Sequence, residues 1–144
     1  PLWSRGLGDV YKRQLVERVA RDFPNVTYVG STNDVPSVFR DVDALVLTSR
    51  SPEPFGNVVT EAMLAGRVVI VPRQGGVTEF VEEGVTGLFY EPNSAPSLAA
   101  VIRRLAQGEI DPSVIGANAH GRAKDFAGPV VARKMQDIYA RVLE

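Results

Sequence analysis

The sequence predicts an α/β domain built on a doubly wound, Rossmann-like parallel sheet, and three observations lead there. Short apolar runs at 44–47 and 68–71 have the continuity of strands buried on both faces, not the alternation of a half-exposed sheet. Between such runs the apolar residues recur at helical spacing. Glycine and proline punctuate the junctions, so strands and helices alternate through short connections, the pattern of right-handed βαβ units.

Residues 1–14, PLWSRGLGDVYKRQ, show neither period and read like translated adapter sequence; they are expected to be a non-native or frayed junction ahead of a domain at 15–144. Leu15, Val16, Val19, Ala20 and Phe23 then mark a helix that Pro24 ends. Val26, Tyr28 and Val29, closed by Gly30, read as a short strand. The segment 35–42 predicts a helix, with Asp34 placed to cap it and Pro36 in its first turn, before the strand at 44–47. A loop over 48–56, a helix over 57–65, a strand over 68–71, a Gly75-Gly76 turn, a helix over 77–82 and a strand over 88–90 follow. Met63, Leu64 and Ala65 read as the buried face of the helix over 57–65. From Ala95 the pattern is helical in three pieces, 95–107, about 112–125 and 129–143, broken by Gly108, Pro112, Gly128 and Pro129.

Composition narrows the function. The 144 residues carry a formal net charge of -1, with 44% hydrophobic residues, which suits a packed globular domain. Without cysteine, disulfides, thiolate zinc sites, iron–sulfur clusters and cysteine nucleophiles are excluded together. The single His120 leaves no histidine-rich metal site and is read as a surface or helix-packing residue. Near-neutral charge without a basic stripe argues against nucleic acid as the partner. No apolar stretch approaches the roughly 18 residues of a membrane span. The chain opens on Pro1 without an initiator Met and is expected to be a piece of a longer protein.

In sheets of this kind ligands bind outside the carboxyl ends of the strands, which directs attention to the loops after Val29, Leu47, Val71 and Tyr90. The densest signal lies in the second of them. In Ser51-Pro52-Glu53-Pro54-Phe55-Gly56-Asn57-Val58-Val59-Thr60-Glu61, one carboxylate sits in a loop and another one turn into the following helix. Gly56 permits close approach of backbone to a ligand, and the amides of residues 56–58 form a positively polarised helix start suited to phosphate or hydroxyl oxygens. Helical side chains lean toward the N-terminus, so Glu61 is expected to reach the same ligand that Glu53 touches. Taken alone, the pair also admits a plainer alternative, with Glu53 solvated and Glu61 paired along its helix. The Gly75-Gly76 turn offers further amides from the next loop, or is simply a tight connection needing positive backbone angles.

The run over 44–92, with SRSPEPFGNVVTEAMLAGRVVIVPRQGGVTEFVEEGVTGLFYEP at its heart, resembles the donor-binding half of retaining glycosyltransferases of the GT-B fold, group 1 or family 4. The likeness extends over essentially everything after Gln14, from the Gly30 loop through the double-Glu motif, the Gly-Gly turn and the Gly84/Gly87 connection to a closing helix ending in Ile138-Tyr139. It implies the C-terminal half of such an enzyme, truncated on its N-terminal side. By resemblance, Glu53 lies beside the transferred sugar as the catalytic residue, in a positioning and electrostatic role. Phe55, Gly56, Asn57 and Val58 contact sugar hydroxyls and the diphosphate, Glu61 binds the ribose hydroxyls, Gly30 and Ser31 pass the base, and Gly75 and Gly76 lie near sugar and phosphate.

The resemblance further implies transfer of a hexosyl-type group from a nucleotide sugar, metal-independent and without a cofactor, since the donor is itself a substrate. The expected partner in cis is an N-terminal acceptor domain. The expected location is cytoplasmic, or peripheral at the membrane for the full-length enzyme. The phosphate-binding Arg and Lys of the family do not appear, and Arg67 stands where the family usually has Pro; the fragment alone is expected to bind donor weakly and transfer nothing. A nucleotide-sugar epimerase or hydrolase on the same fold, and a non-catalytic nucleotide-binding module, are the competing readings.

Overall fold

The computed structural model describes residues 7–30, 32 and 34–143, with side chains from residue 13 onward. Residues 1–6 of the suspected junction, and Ser31, lie outside the described residues. The chain divides between residues 33 and 34 into two compact units.

In the first unit, helix α1 (Leu7–Asp22) starts eight residues earlier than the apolar period at Leu15 suggests. Once nucleated, a helix extends at little cost through residues of good propensity such as Lys12, Arg13 and Gln14. Arg13 Nε also donates to Glu17 Oε1 at 2.8 Å, one turn on. The expected strand at 26–29 does not form. The Val26 N–H turns back to the Phe23 carbonyl at 2.9 Å, and among the described residues no second strand takes up the backbone groups of this run. A β-rich sequence becomes a strand only where it is paired.

The second unit holds α2 (Val35–Arg40), β1 (Ala44–Val46), α3 (Asn57–Leu64), β2 (Val68–Pro72), β3 (Leu88–Tyr90), α4 (Ala95–Ala106), α5 (Pro112–Ala123) and α6 (Gly128–Leu143). The strands form a parallel sheet in the order β1-β2-β3, with Ala44 opposite Val68 and Ile70 opposite Leu88. Alternate residues serve opposite faces. Val69, Val71 and Phe89 pack with Val59, Ala62 and Met63 of α3 and with Phe80. Val68, Ile70, Leu88 and Tyr90 pack with Val101 of α4 and Ile115 of α5. Every residue of β2 is buried, which is why its sequence is continuously apolar.

Two elements differ from expectation. In place of a helix over 77–82 there is one 3₁₀ turn, Gly76–Glu79. The Glu82 N–H, which another helical turn would need, donates to the Thr86 hydroxyl at 2.8 Å, and the Glu82 carbonyl accepts from Val85 and Thr86, so the chain reverses into β3. Of Met63, Leu64 and Ala65 only Met63 is buried, because α3 meets the sheet along Val59, Ala62 and Met63 and turns its last residues outward.

Helix α5 seals the far end of α3. Gly116 lies so close to the Gly66 carbonyl that no side chain fits there. The His120 ring approaches the Leu64 carbonyl at 2.6 Å; a carbonyl only accepts, so Nδ1 carries the proton and serves one of the open carbonyls at the end of α3. His120 therefore has the helix-packing role expected of it. Arg67, in the turn below, donates from Nη2 to the Arg40 carbonyl at 3.2 Å, while its buried Nε has no partner. Helix α6 buries none of its residues.

Candidate functional site

The carboxyl end of β1 is fixed from two sides. The Leu47 N–H donates to the Ile70 carbonyl at 2.9 Å, and the Tyr90 hydroxyl donates to the Leu47 carbonyl at 2.8 Å. Burial raises the Tyr90 pKa above the ordinary phenol value, so this donor stays protonated. From that anchor the loop 48–56 carries Glu53 back over the end of β2.

The loop after β2 meets it there. The Gly76 N–H donates to the Glu53 carbonyl at 2.8 Å, and Gln74 Nε2 reaches the Ser49 and Arg50 carbonyls at 3.4 Å each. The glycines are needed for this approach. Gly75 has φ +74, and a Cβ on it would stand 2.6 Å from the Glu53 carbonyl oxygen; a Cβ on Gly76 would collide with the Pro54 carbonyl. The Gly76 amide is thus committed within the chain, whereas the Gly75 amide has no acceptor among the described residues.

The Glu53 side chain is half-buried, and its Oε1 accepts from the Ser49 hydroxyl at 2.7 Å. Three residues on, Gly56 takes the left-handed conformation at φ +81 and opens α3 with no side-chain cap. Other helices of this unit are closed differently: Asp34 caps α2, Ser94 caps α4 and Asp111 caps α5, each accepting a backbone N–H of the first turn. At α3 the amides of Asn57 and Val58 have no acceptor among the described residues, at exposed positions. Phe55, just before, packs on Phe80 and Phe126 at ring-centre distances of 5.2 and 5.6 Å, fixing the approach of the chain to Gly56.

Glu61 is exposed and makes no ion pair, so the pairing along its helix that the sequence left open does not occur. It lines a cavity of about 340 Å³ together with Val35, Pro36, Phe39, Leu64 and Ala65. A second cavity, about 380 Å³ and more polar, opens at the ends of β1 and β3, between Thr48, Ser49 and Arg50 on one side and Tyr90, Asn93 and Ser94 on the other. Gly30, in the first unit, has φ +78 and open space where a side chain would be. Among the described residues no three His, Asp or Glu side chains gather as metal ligands, and no helix is long and apolar enough to cross a membrane.

Glu53, Gly56, Glu61, Gly75 and Gly76 are the residues that the sequence singles out; Ser49, Gln74 and Tyr90, which hold the loops together, are not among them. Ser49 alone left a trace, a hydroxyl four residues before Glu53 in the same loop.

Solved glycosyltransferases share this architecture. Anabaena Alr3699/HepE in complex with UDP superposes with a TM-score of 0.80 at 30% identity, over 96% of this chain and 39% of that one. A Rickettsia africae glycosyltransferase superposes at 0.84 with 24% identity, a likeness of fold. The sheet and its flanking helices are thus the Rossmann-like α/β fold of GT-B glycosyltransferases. The model of the family described as glycosyl transferases group 1 matches residues 2–108, and the chain belongs to that family. Curated relatives agree: the D-inositol 3-phosphate glycosyltransferase of Corynebacterium kroppenstedtii is 29% identical over 128 residues, 85% of this chain and 28% of the relative. An uncharacterized glycosyltransferase of Methanocaldococcus jannaschii is 31% identical over 136 residues, 93% of this chain and 38% of the relative. The chain therefore spans less than half the length of these relatives.

Proposed function

We propose that this chain is the donor-binding part of a retaining, metal-independent glycosyltransferase that takes a hexosyl-type group from a nucleoside-diphosphate sugar and works with an acceptor domain in the same longer protein. The observation that carries this reading is the uncapped start of α3, where free amides at Asn57 and Val58 stand between the two carboxylates Glu53 and Glu61. Family membership and the UDP-bound state of the similar Anabaena protein support it.

Each part has a physical role. The α3 amides and the Gly75 amide donate to the diphosphate oxygens, whose charge the helix start favours without a counter-ion. Glu61 accepts hydrogen bonds from the ribose hydroxyls, with the apolar walls of its cavity beside the base. Glu53 faces the sugar. As the bond from the sugar to the diphosphate lengthens, positive charge grows on the sugar and negative charge on the leaving oxygen. Preorganised amides stabilise the oxygen and the Glu53 carboxylate stabilises the sugar. On this reading the chain by itself binds donor weakly and transfers nothing.

Calorimetric titration with UDP tests the reading. Glu61→Ala is expected to weaken UDP binding by about tenfold or more, the loss of charge-assisted hydrogen bonds. In the longer enzyme, Glu53→Ala is expected to suppress transfer far more than donor binding, and unchanged transfer in that variant overturns the assignment of Glu53.

A further inference from the structure

We infer that Ser49 is a positioning residue for Glu53, setting which carboxylate oxygen meets the sugar of the donor; the inference rests on the donor reading above. Glu53 is held at both ends. Its carbonyl is fixed by the Gly76 amide at 2.8 Å, and its Oε1 by the Ser49 hydroxyl at 2.7 Å, the short distance of a charge-assisted hydrogen bond. Its Oε2 has no partner among the described residues. One oxygen is committed and the other presented.

Ser49 can do this because its own backbone is anchored. It lies two residues beyond Leu47, which the Ile70 carbonyl and the Tyr90 hydroxyl both hold, and its carbonyl accepts from Gln74. The hydroxyl therefore projects from a fixed point in the fold, and the long Glu53 side chain loses its rotamer freedom before any ligand arrives. A hydroxyl suits this position because it donates one hydrogen bond, adds no charge to compete with the sugar, and leaves the carboxylate its full negative charge. Ser49 also lines the polar cavity of about 380 Å³ at the strand ends.

The test compares UDP with UDP-glucose as calorimetric probes of the chain and its variants, with the ratio of the two affinities as the readout of the sugar contact. Ser49→Ala is expected to lower that ratio by about three- to tenfold, the range of one hydrogen bond, while leaving the affinity for UDP unchanged. Ser49→Thr, which keeps the hydroxyl, is expected to restore it. In the Glu53→Ala background, Ser49→Ala is expected to change nothing further, the coupling that a double-mutant cycle reads. Equal losses for UDP and UDP-glucose, or an additive loss in the double variant, overturn the inference and make Ser49 a loop residue only. Failure of the unsubstituted chain to bind either probe overturns the donor reading, and this inference with it. Circular dichroism melts of each variant separate misfolding from lost contact.

Discussion

At the residue scale, two glycines make opposite predictions from the same substitution. Gly76→Ala would drive a methyl group into the Pro54 carbonyl, so either loop must move. The expected cost is about 2 kcal/mol or more, with weakened UDP binding, read by urea unfolding and titration. Gly121 lies within α5 with open space around it, and Gly121→Ala is expected to raise stability by about 0.5–1 kcal/mol in the same unfolding experiment. Residues were legible in the sequence where their chemistry was local. Glu53, Gly56 and Gly75 announced themselves through a strand-loop-helix spacing that any such turn requires. Gln74 did not, because its partners, the Ser49 and Arg50 carbonyls, lie 25 and 24 residues away and no short pattern encodes them.

At the element scale, helix ends separate structure from function. Asp111 accepts from the Ser113 hydroxyl and N–H at 2.6 and 2.9 Å, and Asp34 accepts from the Ser37 N–H at 3.2 Å. The serine hydrogen bonds hold both carboxyls below the usual Asp range. A folded-state pKa below the unfolded value adds stability above the unfolded pKa, and that stability is lost as pH falls through the folded value. Asp111→Ala is thus expected to be less stable than the unsubstituted chain at neutral pH, with the difference shrinking toward acid, as thermal melts over a pH series would show. Ser94→Ala, which removes an uncharged cap from α4, is expected to cost about 1 kcal/mol with no such acid dependence. Capping chemistry was readable for α2 in Asp34 and Pro36. The run at 26–29 was misread because β propensity describes a residue's fitness for a sheet, whereas a strand also requires a neighbour.

At the scale of the whole molecule, the sheet divides two cores, and its central strand belongs to both. The continuous apolar run of β2 made this legible, since only a strand covered on two sides excludes polar residues from every position. Met63, wholly buried in the core that α3 shares with the sheet, is the place where the site depends on packing. Met63→Ala is expected to cost about 2–5 kcal/mol in chemical unfolding and to loosen α3 as a body. The bond from the Gly76 amide to the Glu53 carbonyl carries a different consequence. Two loops sewn together have surrendered their independent motion at folding, so any ligand that settled on either one would find the other already in register. The entropy of organising two surfaces is lost once, with the fold, and does not count again against affinity.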